Sequence, residues 1–302
     1  MRALLTFAII VLLAACQSGP LPITRTWDLP PGTKSVQVNG YEMTYMERGT
    51  GVPLILVHGA GVDYRFFAAQ MEPLAAKYRV IAVSLRRYYP EPWRGEGEFG
   101  LDQQAADLVV LIRSLGTGPA HVVGHSRGGT VALYATRIAP DLIRSLTFAE
   151  GGTGMPAFSP DNPEVRDRRT NALRAMTEKL KAGDTDGGLE IFIEYVNGPG
   201  AWKSTPESSK RALRDNAWTL ATAEADTASW TPFTCDDAKR LKVPVLLLGG
   251  ESSPPNFGAT LDNVQSCLTR AERRMIQKSS HSMPRMNPDG FSSAVLSFTT
   301  AH

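Results

Sequence analysis

An α/β fold on a mostly parallel, eight-stranded sheet is the architecture this sequence predicts. Helices should cover both faces, and an all-helical insertion should follow the sixth strand. Three observations carry that expectation. Continuous apolar runs such as Leu54-Ile55-Leu56-Val57 recur along the chain, as strands buried on both faces of a parallel sheet do. Between them lie segments with apolar residues at every third or fourth position, the mark of one helix face. That alternation fails once, between residues 153 and 230, where only helix signals remain.

The 302 residues, 42% of them hydrophobic, supply ample material for a core, and a net charge of +2 with no Lys/Arg block carries no nucleic-acid footprint. Residues 1–15 stand apart. Met1-Arg2 is basic, residues 3–13 form an apolar run too short for a comfortable membrane span, and Leu13-Ala14-Ala15-Cys16 closes it. This resembles the lipobox of bacterial lipoproteins, which implies cleavage before Cys16, lipidation there and membrane attachment without a spanning helix. Gln17, a non-aspartate after the cysteine, goes with the outer membrane in such lipoproteins; attachment on its periplasmic side is the favoured expectation, and the residues alone leave the face open. Residues 16–33, rich in Pro and Gly, read as a tether. Export leaves Cys235 and Cys267 as an even pair, for which a disulfide is the favoured reading over two buried thiols.

Taken in order, strand signals at 35–38 and 41–47 are split by Asn39-Gly40, a strong hairpin turn. A buried strand at 53–57 ends at His58-Gly59-Ala60-Gly61. A helix over 64–76, a strand over 78–85 and a helix over 101–115 follow. The next strand stops at Gly124-His125-Ser126-Arg127-Gly128, and a helical segment begins directly after it. A strand at 143–149 closes on Glu150-Gly151-Gly152. In the insertion, Asn162-Pro163-Glu164 and Thr205-Pro206-Glu207 each place a capping residue before a proline at the first helical position. Beyond it come a strand at 243–248, a helix at 260–268, a short strand at 274–277 and a last helix capped by Asn287-Pro288.

The chemistry gathers at strand ends. Strand, sharp turn and helix around a G-x-S-x-G pentapeptide expose a serine Oγ, which makes Ser126 the candidate nucleophile. A serine hydroxyl needs a base, and among five histidines only His281 lies in a loop between a late strand and the last helix. The N–H groups of Ala60 and Arg127 are the candidate oxyanion donors. Residues 84–90, Ser-Leu-Arg-Arg-Tyr-Tyr-Pro, form either a substrate wall or a loop braced by ion pairs with Glu96 or Glu98. Candidate pocket residues are Gly61, Arg86, Tyr88, Trp93, Trp202 and Trp218.

The strands and helices, His58-Gly59, the Ser126 turn, the insertion after the sixth strand and His281 before the last helix together resemble the α/β-hydrolase fold family over the chain beyond the tether. The family's chain order of nucleophile, acid and histidine implies an acid between Ser126 and His281. Members usually carry Asp three residues after a glycine that ends the strand before the histidine unit. Gly250-Glu251-Ser252-Ser253 puts a serine there. Two carboxylates compete for the role: Glu150, at the end of the sixth strand, is preferred, and Glu251 is the alternative. The resemblance implies a capped serine hydrolase acting on esters or lactones of apolar small molecules. Carbon–carbon hydrolysis or cofactor-free haloperoxidase chemistry on the same residues is the alternative, and so is an inactive lipid-anchored binding protein. No P-loop, dinucleotide fingerprint or H-E-x-x-H occurs, so no cofactor or metal is implied.

Overall fold

The computed structural model describes residues 27–152, 155–222 and 230–302. The expected leader, Cys16 and the tether up to residue 26 lie outside the described residues. Among the described residues no helix is long and apolar enough to cross a membrane.

The first strands, β1 (Thr33–Val38) and β2 (Tyr41–Arg48), pair antiparallel around Asn39-Gly40. Both turn residues sit at positive φ, 45° and 72°, as the tight primed turns of hairpins require. Next come β3 (Pro53–Val57), helix α1 (Ala68–Ala75), β4 (Arg79–Val83), α2 (Leu101–Ser114), β5 (Ala120–His125), α3 (Arg127–Ile138) and β6 (Ile143–Ala149). The insertion holds α4 (Pro163–Lys181), α5 (Thr185–Asn197), α6 (Ala201–Ser204), α7 (Glu207–Asp215) and α8 (Ala217–Ala221). After it run α9 (Cys235–Arg240), β7 (Val245–Gly250), α10 (Pro255–Cys267), β8 (Ala271–Ile276), α11 (Met283–Met286) and α12 (Pro288–Ala301).

The eight strands lie in the order β1-β2-β4-β3-β5-β6-β7-β8. Pairing is antiparallel at β1–β2 and β2–β4 and parallel from β4 through β8. Because strand side chains alternate between faces, β3 sends Ile55 and Val57 to one core and Leu54 and Leu56 to the other. The first core is covered by α2, α3 and α10, through Leu108, Leu133 and Leu261. The second is covered by α1 and α12, through Leu74, Phe291 and Val295, and by insertion residues such as Met176 and Leu189. Each fully buried Leu, Val or Phe contributes about 1.5–3 kcal/mol.

Several boundaries differ from expectation. The 64–76 helix divides into a 3-10 turn, Tyr64–Phe67, and α1. The strand expected at 243–248 is β7, two residues later, and the segment at 274–277 belongs to the longer β8. Asn162 and Asn287 do cap α4 and α12, accepting from Glu164 and Gly290 N–H. Thr205 does not cap α7. Its hydroxyl donates to the Ala201 carbonyl, and the helix starts at Glu207. Cys235 and Cys267 are joined in a disulfide that ties α9 to α10, with Cα atoms 5.1 Å apart.

Candidate active site

The turn between β5 and α3 places Ser126 at φ 53°, ψ −123°, outside the regions favoured by L-residues. Such strain costs on the order of 1–3 kcal/mol and survives only where the surroundings over-determine it. Here the Ser126 N–H donates to the Ala149 carbonyl at 2.8 Å, tying the turn to the end of β6. A Cβ on Gly124 would strike the Gly128 carbonyl, and one on Gly128 would strike those of Val57 and His58. The two flanking glycines are thus required by backbone contact.

The His58–Gly61 loop passes close beside this turn, since a Cβ on Gly59 would lie 3.0 Å from the Ser126 Cβ. His58 holds the loop. Its Nδ1–H donates to the Gly59 carbonyl at 2.8 Å, and its Nε2 accepts from the Leu85 N–H at 3.0 Å. Complete burial pushes its pKa down to about 4, so the ring is neutral and keeps this one tautomer. Ala60, Ser126, Arg127 and His281 line one cavity of about 90 Å³.

Glu150 directly follows β6 at φ 47°, another non-glycine residue held at positive φ. Its Oε1 accepts from the Gly250 N–H at 2.8 Å, and its Oε2 accepts from His281 Nδ1 at 2.8 Å. Both side chains are buried. The His281 ring stacks on Phe257 at 4.1 Å, and its carbonyl accepts from His125 Nε2 at 2.7 Å. Burial, with His281 adding to it, holds the His125 pKa well below the usual range, so His125 serves as a neutral strut. Glu251 does not reach His281. It is exposed and accepts from the Lys278 N–H at 2.8 Å, bracing the ends of β7 and β8. The Ser253 Oγ is buried with no hydrogen-bond partner among the described residues. Likewise among the described residues, no cluster of three or more His, Cys, Asp or Glu side chains is placed to hold a metal ion.

The expected pocket residues are mostly elsewhere. Arg86 forms a buried two-point ion pair with Asp107 on α2, at 2.8 and 2.9 Å, and its carbonyl accepts from Gln104 Nε2 of the same helix. The bracing of its loop thus involves Asp107, while Arg87 pairs with Glu91 and donates to the Glu98 carbonyl. Tyr88 packs edge-on against His58 at 4.6 Å, at the base of the His58–Gly61 loop. Trp93 stacks on Phe99 at 4.8 Å in the core. Trp202 is buried within the insertion, with the Lys210 Nζ 4.5 Å from its ring, and Trp218 is 37% exposed. Gly61 abuts Leu220, which does line the cavity.

The walls come instead from Leu173 on α4, Phe192, Tyr195 and Val196 on α5, Trp230 and Phe257. Phe192 and Tyr195 were visible in the sequence as large side chains of the insertion, but nothing there distinguished cavity-facing aromatics from packed ones. Arg169 and Tyr195 also line a neighbouring hollow of about 470 Å³. Burial raises the Tyr195 pKa, so its hydroxyl is a neutral donor.

Comparison with known proteins agrees with this architecture. The sequence model of the alpha/beta hydrolase family matches residues 54–294. The chain is 34% identical over 132 residues to the dihydrolipoyllysine-residue acetyltransferase component of the acetoin cleaving system of Pseudomonas putida, a match spanning 41% of this chain and only 34% of that protein. It is 25% identical over 279 residues to the 2-(acetamidomethylene)succinate hydrolase of Mesorhizobium japonicum, covering 89% of this chain and 95% of that one. Among solved structures, a thermophilic esterase from Thermogutta terrifontis superposes with a TM-score of 0.71 at 24% identity, over 89% of this chain and 98% of the esterase. The matched span runs from β3, beside the His58–Gly61 loop, to α12 beyond His281, so it takes in every residue that lines the cavity. The chain belongs to the alpha/beta hydrolase family.

Proposed function

We propose that this protein is a serine hydrolase that cleaves carboxylic esters or lactones of apolar small molecules through an acyl-enzyme on Ser126. The observation that carries the reading is the Glu150 Oε2–His281 Nδ1 contact of 2.8 Å, with the same histidine lining the cavity that holds the strained Ser126. With Nδ1–H donated to Glu150, the tautomer leaves the Nε2 lone pair free for a proton. Ser126 Oγ attacks the substrate carbonyl and its proton passes to His281. The Ala60 and Arg127 N–H groups stabilise the oxyanion, worth a few kcal/mol each, on the order of mutational losses at such sites. Collapse expels the alcohol, which takes the proton from His281. Water, deprotonated by the same histidine, then releases the acid and restores Ser126. Phe192, Leu173, Val196 and Phe257 make the cavity suited to apolar groups.

A second substrate class has support of its own. Arg169 and Tyr195 sit in the cavity wall, and the relative aligned over 95% of its length is named for a substituted succinate. Under this reading the same residues hydrolyse a small substrate bearing a carboxylate. The N-terminal reading is part of the proposal: lipidated Cys16 anchors the protein to the periplasmic face of an outer membrane, and Cys16→Ala should release it into the soluble fraction.

Ser126→Ala should abolish turnover of p-nitrophenyl esters and labelling by a fluorophosphonate, while circular dichroism stays that of the parent. Turnover or labelling that survives in the variant would overturn the assignment. A parent protein that never labels would favour a binding role. A panel pairing neutral esters with matched hemi-esters of succinate separates the two substrate classes by kcat/KM.

A further inference from the structure

Most of what holds His281 belongs to the sheet and the segments attached to it: Glu150 on its ring nitrogen, His125 on its carbonyl and Phe257 against its face. Asn197 is different, because it belongs to the helical insertion. It is the last residue of α5, and Gly198 behind it, at φ 99°, ends the helix. The last carbonyls of a helix have no partner within it, so they are open to one from outside. The Asn197 carbonyl accepts from the Ser280 hydroxyl at 3.1 Å, and its side-chain Oδ1 accepts from the Ser282 N–H at 2.9 Å. One residue therefore grips the chain on both sides of His281.

Its own position is fixed in turn. Glu194, one turn back on α5, accepts from the Trp202 N–H at 2.9 Å and from the Gly200 N–H, which locks the turn into α6. The same helix presents Phe192, Tyr195 and Val196 to the cavity that contains Ser126. A group bound there touches the element that holds the histidine.

We infer that Asn197 is a positioning residue for His281, and that through it the helical insertion couples occupation of the cavity to the rate of proton transfer. The inference rests on the reading of His281 as the general base. Proton transfer requires the base within hydrogen-bond reach of the hydroxyl, and a displacement of about 1 Å is enough for losses near a hundredfold. Substrates whose acyl group reaches α5 are therefore turned over faster than those that leave that wall empty.

The test uses Asn197→Ala, Asn197→Asp and Ser280→Ala with p-nitrophenyl acetate and hexanoate, beside the rate of fluorophosphonate labelling. Asn197→Ala should lower kcat and the labelling rate about tenfold to a hundredfold, with KM within about threefold, and should erase the advantage of hexanoate in kcat. Asn197→Asp keeps an acceptor oxygen for Ser282 N–H and should recover most of the loss. Ser280→Ala removes a single hydroxyl and should lower kcat several-fold, which gives a readout if Asn197→Ala does not fold. The inference is overturned if kcat stays within about twofold in both alanine variants, or if Asn197→Asp loses as much as Asn197→Ala. A parent that neither labels nor turns over esters removes the general-base reading and this inference together. An active parent with unaffected variants removes this inference alone.

Discussion

At the scale of single residues, Glu150 is the informative position. Glu150 crosses from the end of β6 to His281, and Gly250 N–H secures its other oxygen. Ser253, where the family pattern would have an aspartate, lies beside Gly250: a Cβ on that glycine would come within 2.7 Å of the Ser253 Oγ. The two candidate locations thus converge on one place from neighbouring strands. Glu150→Gln should lower kcat by about 10³- to 10⁴-fold, the loss expected when the histidine is left in the wrong tautomer. Adding Ser253→Asp to that variant should restore part of it, and Glu251→Gln should stay within about twofold of the parent. A larger loss in Glu251→Gln than in Glu150→Gln, from steady-state kinetics on one ester, would reverse the assignment. Ser126, His281 and Glu150 were readable in the sequence because Ser126 and Glu150 directly follow apolar strands and His281 lies in the loop between the last strand and the helices that close the chain, where spacing constrains position. The pocket residues were not. Arg86 and Trp93 are conspicuous by residue type, and only three-dimensional packing shows that one pairs with Asp107 and the other stacks on Phe99.

At the scale of elements, hydrophobic pattern located every strand of the sheet, and its errors are confined to ends. The β7 strand continues through Gly249 and Gly250 because they pair with Met275 and Ile276 of β8, a tertiary contact that no local propensity encodes, and Gly250 N–H also reaches Glu150. The α9–α10 pair carries the disulfide, which closes a loop with a sequence separation of 32. Loop-closure entropy of that size corresponds to about 3–4 kcal/mol of stability. Cys235→Ala/Cys267→Ala should therefore lower the urea midpoint with little change in activity, since neither residue lies at the cavity. An unchanged midpoint would mean that the reduced chain already holds these helices together.

At the scale of the whole molecule, buried neutral histidines make stability depend on pH. The pKa values of His58 and His121 are pushed from 6.5 down to about 4, in both cases mainly by burial. Between those pH values the unfolded chain binds protons that the folded one does not. Stability is therefore full above about pH 6.5 and falls as pH drops toward about 4, by about 3 kcal/mol for His58 alone. Thermal unfolding from pH 7 to pH 4 should show a falling Tm, with a shallower fall in His58→Gln; a flat profile would contradict the burial argument. The placement of Glu150 has a consequence of another kind. Ser126 and Glu150 both precede the helical insertion and His281 follows it, so a foreign helical cassette grafted between β6 and β7 would leave the Ser126 turn and the Glu150 strand end in place. The graft would still remove Asn197. On the proposed reading, exchange of this cassette would alter in one event both which molecules fit above Ser126 and the contacts on either side of His281, so specificity and speed would change together.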